Sequence, residues 1–316
     1  MYRIGIDIGG TGIKVGLVDE KDQIISQNSI PTRTDIPFSE QVERMAESVK
    51  KLLYPNLPSG IALESVSSIG IGIPGIADDK SGEVIKCTNM GWYHVPLREE
   101  FRKHIDKPVL IENDANVAAL AESKAGISAG TSSSVFITLG TGIGSGIILN
   151  GKIWKGFHGI GAELGHMIME LDGVPCTCGN RGCLERYCSA TALIRMARER
   201  IEQHPESLIF QYAAQDPAKI NAKTVFDAAK EGDPVAEKLF RRYISYLSQA
   251  IANVINFLDP EIIVLGGGVS KAGAFLLDAV RAEYPHYVIF NDMPMPSVEL
   301  AVLGAEAGIL GAAMLE

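Results

Sequence analysis

Between Glu163 and Glu185 the chain reads ELGHMIMELDGVPCTCGNRGCLE. Three of its five cysteines, Cys176, Cys178 and Cys183, fall inside this stretch, and His166 lies ten residues before the first of them. Three thiolates and one imidazole complete a tetrahedral zinc shell with no open position, which is the make-up of a structural rather than a catalytic metal. The close C-x-C-x4-C spacing needs a tight backbone, and Gly179 and Gly182 supply it. Core packing alone does not interleave thiols with glycines in this way. Two carboxylates, Glu163 and Glu185, flank the ligand set. One segment therefore combines a staple with polar groups for a ligand.

Three glycine-rich stretches have the composition to hold phosphate or nucleotide. DIGGTGIK runs from Asp7 to Lys14. Gly9 and Gly10 let backbone N–H groups approach a phosphate, Thr11 offers a hydroxyl, Lys14 a positive charge, and Asp7 a hard oxygen for Mg²⁺. A plain hairpin turn would use the same residues. In GTGIGSG, four glycines alternate from Gly140 to Gly146. That pattern weakens an ordinary strand and favours a backbone that faces a ligand, with Thr141 and Gly142 at the tip. Gly266, Gly267 and Gly268 follow the apolar run IIVL and precede a helical pattern. Such a turn either slots a nucleotide at the carboxyl end of a strand or packs a helix. None of these is a P-loop, because Gly151-Lys152 is followed by Ile153. Glu112-Asn113-Asp114 ends the run PVLI and begins a helix. Asp114 is either the cap of that helix or the base that takes a proton from an attacking hydroxyl.

The elements that must carry these residues read as an α/β protein. YRIGIDIG, IKVGLVD and QIISQNSI alternate as strands, and Val42, Met45, Ala46, Val49, Leu52 and Leu53 recur at helical spacing over residues 39–53. VSSIGIGIPG and KPVLIEND are further strands, and NVAALAESKAG is a helix ended by Gly126. SSVFITLGTGIGSGIILNGKI then repeats the strand–glycine turn–strand pattern of residues 2–19, so two domains on one plan are expected. Helices follow over residues 189–203, 222–231, 233–258 and 271–282. The chain ends on a short strand and a small-residue helix. With no low-complexity linker, the boundary is expected at a hinge near residue 113.

Bulk properties agree with a globular protein. The chain has 316 residues, is 46% hydrophobic and carries a net charge of −9; its mean hydropathy is +0.12. Such a balance disfavours disorder and phosphate-backbone binding but leaves small phosphorylated ligands open. Clustered, metal-suited cysteines point to a reducing, cytoplasmic setting, with Cys87 and Cys188 as buried free thiols. No basic leader precedes an apolar core at MYRIGIDIGG. Residues 125–151 carry no charge, yet seven glycines and eight Ser/Thr residues mark them as a strand–turn–strand rather than a membrane span.

Taken together, DIGGTGIKVGLVD, GIGIPG, TNMGW, ENDANVAALAE, LGTGIGSGI, GAELGH, CTCGNRGCLE and LGGGV resemble, in order, the ROK kinases of the sugar kinase/Hsp70/actin superfamily. The resemblance covers essentially the whole chain and is strongest to the bacterial glucokinases. It implies a two-domain actin-like ATPase fold with a cleft between domains. It also implies a small domain of residues 1–112 plus 303–316 and a large zinc-bearing domain of residues 113–302. Asp114 matches the base that deprotonates the sugar's 6-hydroxyl for attack on ATP. Asn113, Glu163, His166 and Glu185 match groups on the other hydroxyls, with Asn89 and the Gly75 loop as the near wall. Gly9, Gly10 and Thr11 match one phosphate loop, Thr141 and Gly142 the second, and Gly267 and Gly268 the adenosine site. His166, Cys176, Cys178 and Cys183 match the zinc ligands, so that His166 serves both metal and sugar. ATP, Mg²⁺ and structural Zn²⁺ are the implied cofactors, and a homodimer or dimer of dimers the implied assembly. Kinases for N-acetylhexosamines and a non-catalytic sugar sensor are the alternatives within reach of these motifs. Ser145 departs from an all-glycine second loop and is expected to narrow it slightly. The helix-turn-helix segment of the family's repressors does not precede the first strand, so no nucleic-acid partner is expected.

Overall fold

β1 (Tyr2–Ile8), β2 (Gly12–Val18) and β3 (Ile24–Pro31) open the chain as antiparallel neighbours, followed by α1 (Phe38–Leu53). The computed structural model describes residues 1–53, 60–290 and 292–316. β4 (Val66–Ile73), β5 (Ile76–Asp78), β6 (Glu83–Cys87), β7 (Trp92–Val95), α2 (Leu97–Arg102), β8 (Val109–Asn113) and α3 (Asp114–Ala125) come next. The first sheet has the order β3-β2-β1-β4-β8, with β1, β4 and β8 parallel. Ile4, Ile6, Ile8, Ile69, Ile71 and Ile73 on its central strands are fully buried, and the apolar stripe of α1 covers one face. Asp7 lies beside Gly72, Gly72 beside Glu112, and Ile73 beside Asn113. Asp7 and the Asn113-Asp114 pair thus sit at the carboxyl ends of parallel strands, where open α/β sheets bind ligands.

The second half repeats the plan. β9 (Ser133–Leu139), β10 (Ile143–Leu149) and β11 (Lys152–Ile153) precede α4 (Glu185–Cys188), α5 (Ala190–Ile201), α6 (Leu208–Tyr212), α7 (Ala222–Lys230) and α8 (Pro234–Leu258). Then come β12 (Ile262–Gly266), α9 (Ala274–Glu283), β13 (Ser297–Leu300) and α10 (Ala307–Ala313). The sheet order is β11-β10-β9-β12-β13, with β12 parallel to both β9 and β13. The expected echo between the two halves is therefore one of topology as well as of sequence. α8 starts as its sequence suggests, with Pro234 in the first turn and Asp233 accepting from the Ala236 N–H at 2.8 Å.

The chain forms two compact units. One comprises Met1–Gly130, Gly146–Ala162 and Val302–Glu316, and the other Thr131–Ser145 and Glu163–Ala301. In the first unit α10 lies against the sheet at backbone distance. A Cβ on Gly70 would stand 1.7 Å from the Ala312 carbonyl oxygen, and one on Gly5 1.9 Å from that of Ile309.

Two local differences from the sequence reading have plain causes. β5, β6 and β7 form a small antiparallel sheet over residues that show no clean alternation, β5 being three half-buried residues. The helix expected over 271–282 is interrupted: a 3-10 turn spans Val269–Ala272, and Gly273, at φ +67°, ends it before α9 begins. Among the described residues, no helix is long and apolar enough to cross a membrane.

Candidate active site

Asn113, not Asp114, caps α3. Its Oδ1 accepts from the N–H groups of Ala115 at 2.9 Å and Asn116 at 3.1 Å, and its Nδ2 donates to the Gly75 carbonyl at 3.1 Å. Asp114 is the first helical residue, half-buried, with Oδ1 accepting from the Ala115 N–H at 2.9 Å. The capping role that the sequence left open for Asp114 thus falls to its neighbour. Gly75 is required by close approach, since a Cβ there would meet the Lys86 carbonyl oxygen at 2.1 Å. Asn89 is exposed on the 3-10 turn Thr88–Met90 that follows β6.

Next to Asn113 in sequence, Glu112 makes an ion pair with the half-buried Lys155 that the sequence reading did not find. Glu112, 3% exposed, accepts through Oε1 from the Asn113 N–H at 2.9 Å and the Asn116 Nδ2 at 3.0 Å. Its Oε2 lies 2.6 Å from Lys155 Nζ, which also reaches Asp79 Oδ2 at 2.8 Å. Burial pulls the Lys155 ammonium down, but its bonds to Asp79 and Glu112 outweigh that and hold it above its ordinary range. No local pattern links Lys155 to Glu112, because 43 residues separate them.

At the β1–β2 hairpin tip the Gly9 N–H donates to the Gly12 carbonyl at 3.0 Å, which leaves Gly10 and Thr11 exposed. Asp7 stands behind the tip, 3.9 Å from Lys14 Nζ, which also donates to the Ala305 carbonyl at 3.0 Å. Burial pushes the Asp7 carboxyl up and the Lys14 charge pulls it back. Gly308 leaves that carboxyl its space, since a Cβ there would lie 2.4 Å from Asp7 Cγ.

In the second unit Glu185, the first residue of α4, reaches the glycine tip between β9 and β10. Its Oε2 accepts from the Ile143 N–H at 3.0 Å, and a Cβ on Gly142 would come within 2.3 Å of the same oxygen. The Thr141 carbonyl accepts from Thr191 Oγ1 at 2.8 Å, tying the tip to α5 as well. Ser145 does not narrow this loop as the sequence suggested. It is buried, and its hydroxyl accepts from the Leu164 N–H at 3.2 Å, beside Glu163. Gly267, at φ +85°, passes so close to the end of β9 that a Cβ would meet the Leu139 carbonyl oxygen at 2.5 Å. Gly268 after it has open space around its Cα.

His166, Cys176, Cys178 and Cys183 converge, with their ligand atoms all within 4.8 Å of one another. The Cys178–Cys183 Sγ separation is 3.6 Å and that from Cys176 Sγ to His166 Nδ1 is 3.8 Å, against edges of roughly 3.4–3.8 Å for tetrahedral zinc. Burial, then the neighbouring thiols, pushes the Cys183 thiol up to about 12, so a thiolate at this position calls for a cation beside it. The donor set and its spacing fit structural zinc. His166 turns Nδ1 to this cluster, and its Nε2 lies 3.9 Å from Glu163 Oε2. Burial raises the Glu163 carboxyl, His166 lowers it, and Glu185 raises it again.

A model of the ROK family matches residues 3–316. The glucokinase of Thermotoga maritima is 38% identical over 313 residues, covering 99% of this chain and 96% of that protein. The crystal structure of a ROK family glucokinase from Streptomyces griseus, in complex with glucose and AMPPNP, superposes with a TM-score of 0.83 at 36% identity, over 99% of this chain and 98% of the other. The ROK hexokinase of Thermus thermophilus gives a TM-score of 0.82 at 34% identity, over 99% and 97%.

Proposed function

This chain belongs to the ROK family, and we propose on that premise that it is a glucokinase, transferring the γ-phosphoryl group of ATP to the 6-hydroxyl of glucose. The likeness to glucokinases over nearly the full length carries the reading. Asp114 acts as the general base: α3 fixes its backbone and Asn113 takes over the cap, so its carboxylate can accept the proton of the attacking hydroxyl. Asn113 spends its Oδ1 on the cap and one N–H on Gly75, which leaves a single N–H for the sugar.

Glu163, the His166 Nε2 and Glu185 supply acceptors and a donor for the other hydroxyls, with Asn89 and the Gly75 loop beside the sugar. A neutral polyol suits two carboxylates, whereas an acidic sugar is repelled. Gly9, Gly10 and Thr11 hold phosphate on one hairpin tip, Thr141 and Gly142 on the other, and Gly267 and Gly268 leave room for the adenosine. Asp7 and Lys14 stand where a nucleotide-bound Mg²⁺ and a phosphate oxygen need a carboxylate and a cation; the ion neutralises charge on the transferring group. Zinc on His166, Cys176, Cys178 and Cys183 has no open position and aims His166 rather than taking part in the chemistry. The reading extends to a cytoplasmic homodimer or dimer of dimers that binds no nucleic acid, in keeping with a net charge of −9.

ADP release measured over a panel of hexoses and N-acetylhexosamines tests the assignment. Glucose is expected to give the highest kcat/KM. Preference for an N-acetyl sugar overturns the substrate, and no turnover with any sugar overturns the kinase. Asp114→Asn is expected to lower kcat by roughly 10²–10⁴-fold while sparing glucose binding by calorimetry. Near-native turnover in that variant would remove Asp114 from the role of base.

A further inference from the structure

We propose that a cavity between α5 and α8, apart from every residue assigned above, binds a small organic phosphate that carries a second anionic group. The cavity has a volume of about 310 Å³, a size suited to a small metabolite. Met196 and Leu239 give it an apolar base, and Arg200, Lys238 and Arg242 give it three positive charges. Lys238 and Arg242 are one helical turn apart on α8 and so project to the same side. Neither Arg200 nor Lys238 makes a side-chain hydrogen bond or ion pair among the described residues. Among the described residues Arg242 reaches the Tyr246 hydroxyl, at 3.4 Å, and that residue's ring. Arg241 and Arg195, by contrast, are each paired with a glutamate one turn away.

The carboxylate in the cavity wall does not cancel these charges. Glu199 is held by Arg195 at 2.9 Å. His204, also in the wall, has its Nδ1 3.1 Å from Glu206. What sets Arg200, Lys238 and Arg242 apart is that all three line one cavity. They match a phosphate monoester, of charge about −1.5 to −2 at neutral pH, together with one carboxylate.

The same side chains lead to α4. The Arg242 guanidinium lies 5.6 Å from the Tyr246 ring centroid, and that ring stacks on Tyr187 of α4 at 4.6 Å. The Tyr246 hydroxyl donates to Glu170, while the Tyr187 hydroxyl accepts from the Val174 N–H at 2.9 Å, both in the metal-bearing segment. From the other wall, Arg195 joins Glu199 to the Arg186 carbonyl at 3.0 Å, one residue from Glu185. An anion drawn onto Arg242 therefore pulls on the element that carries Glu185, and occupancy of the cavity changes the affinity for glucose. The coupling rests on the proposed sugar site; the binding does not.

Calorimetric titration of the full chain with 3-phosphoglycerate and with inorganic phosphate, without glucose or ATP, tests the site and needs no turnover. Saturable 1:1 binding of 3-phosphoglycerate is expected, tighter than that of phosphate alone. Arg200→Met and Lys238→Met should each weaken it roughly tenfold, while Arg241→Met should leave it within about twofold. No binding at millimolar ligand overturns the proposal. So does equal weakening by all three substitutions, which would mean general attraction to basic surface, or unchanged binding in the first two. The glucose KM, measured with and without saturating 3-phosphoglycerate, should shift in the native chain and not in Arg200→Met/Lys238→Met. An unchanged KM despite binding overturns the coupling.

Discussion

At the scale of residues, contiguity made candidates visible without always deciding between them. CTCGNRGC with His166 pointed to a metal by type and spacing alone, and its four ligand atoms do converge, whereas DIGGT also fits a plain turn and END a helix cap. Glu112 stood inside one of these motifs without a role, and its partner Lys155 stood in none. The pair they make is what holds the backbone of Asn113 and the side chain of Asn116 in place behind Asp114. Removing Lys155 leaves Glu112 as an uncompensated buried charge, which costs more than removing both. Lys155→Met is therefore expected to lower kcat about tenfold, as a slightly misplaced base does, with the glucose KM within twofold. Adding Glu112→Gln should recover much of the loss, because a neutral glutamine keeps the Oε1 acceptor for both bonds. A double variant less active than Lys155→Met would show that the pair does not act by charge compensation.

Elements were legible to the extent that their burial pattern was regular. The strands of both hairpins, α1, α3 and α8 follow from alternation, helical spacing and caps. β5–β7 did not, because short half-buried strands lack a clean period, and α9 starts late because Gly273 breaks the helix ahead of it. The contact that matters most at this scale is also silent in a hydrophobic pattern. α10 sits on the first sheet through glycines: Gly5 and Gly70 face the carbonyls of Ile309 and Ala312, and Gly311 faces that of Val117 on α3. Backbone atoms cannot give way as flexible side chains do. Gly70→Ala and Gly311→Ala should each destabilise the protein by about 1–3 kcal/mol or more, seen as a fall in Tm. An unchanged Tm in both would mean that α10 shifts freely, against the close packing observed.

For the whole molecule, the repeated plan is written in the sequence, because the two glycine hairpins share one pattern and the two sheets have matching strand order. That plan leaves one long stretch without regular support. From His166 to Cys183 the chain has only the end of a 3-10 turn and two isolated bridges, Ile168 with Cys183 and Pro175 with Arg181. Glu163 and Glu185 flank this stretch, and His166 belongs to it, so the sugar-binding groups assigned here depend on how it is closed. Tying its ends through a metal restricts the unfolded chain much as a cross-link does, worth about 3 kcal/mol for a loop of this size. Elemental analysis should find about one zinc per chain. Cys183→Ser should lose it, lower Tm and raise the glucose KM, because His166 is then held by no metal. A folded, zinc-free variant with native glucose KM would separate the metal from the sugar site and leave it a staple alone.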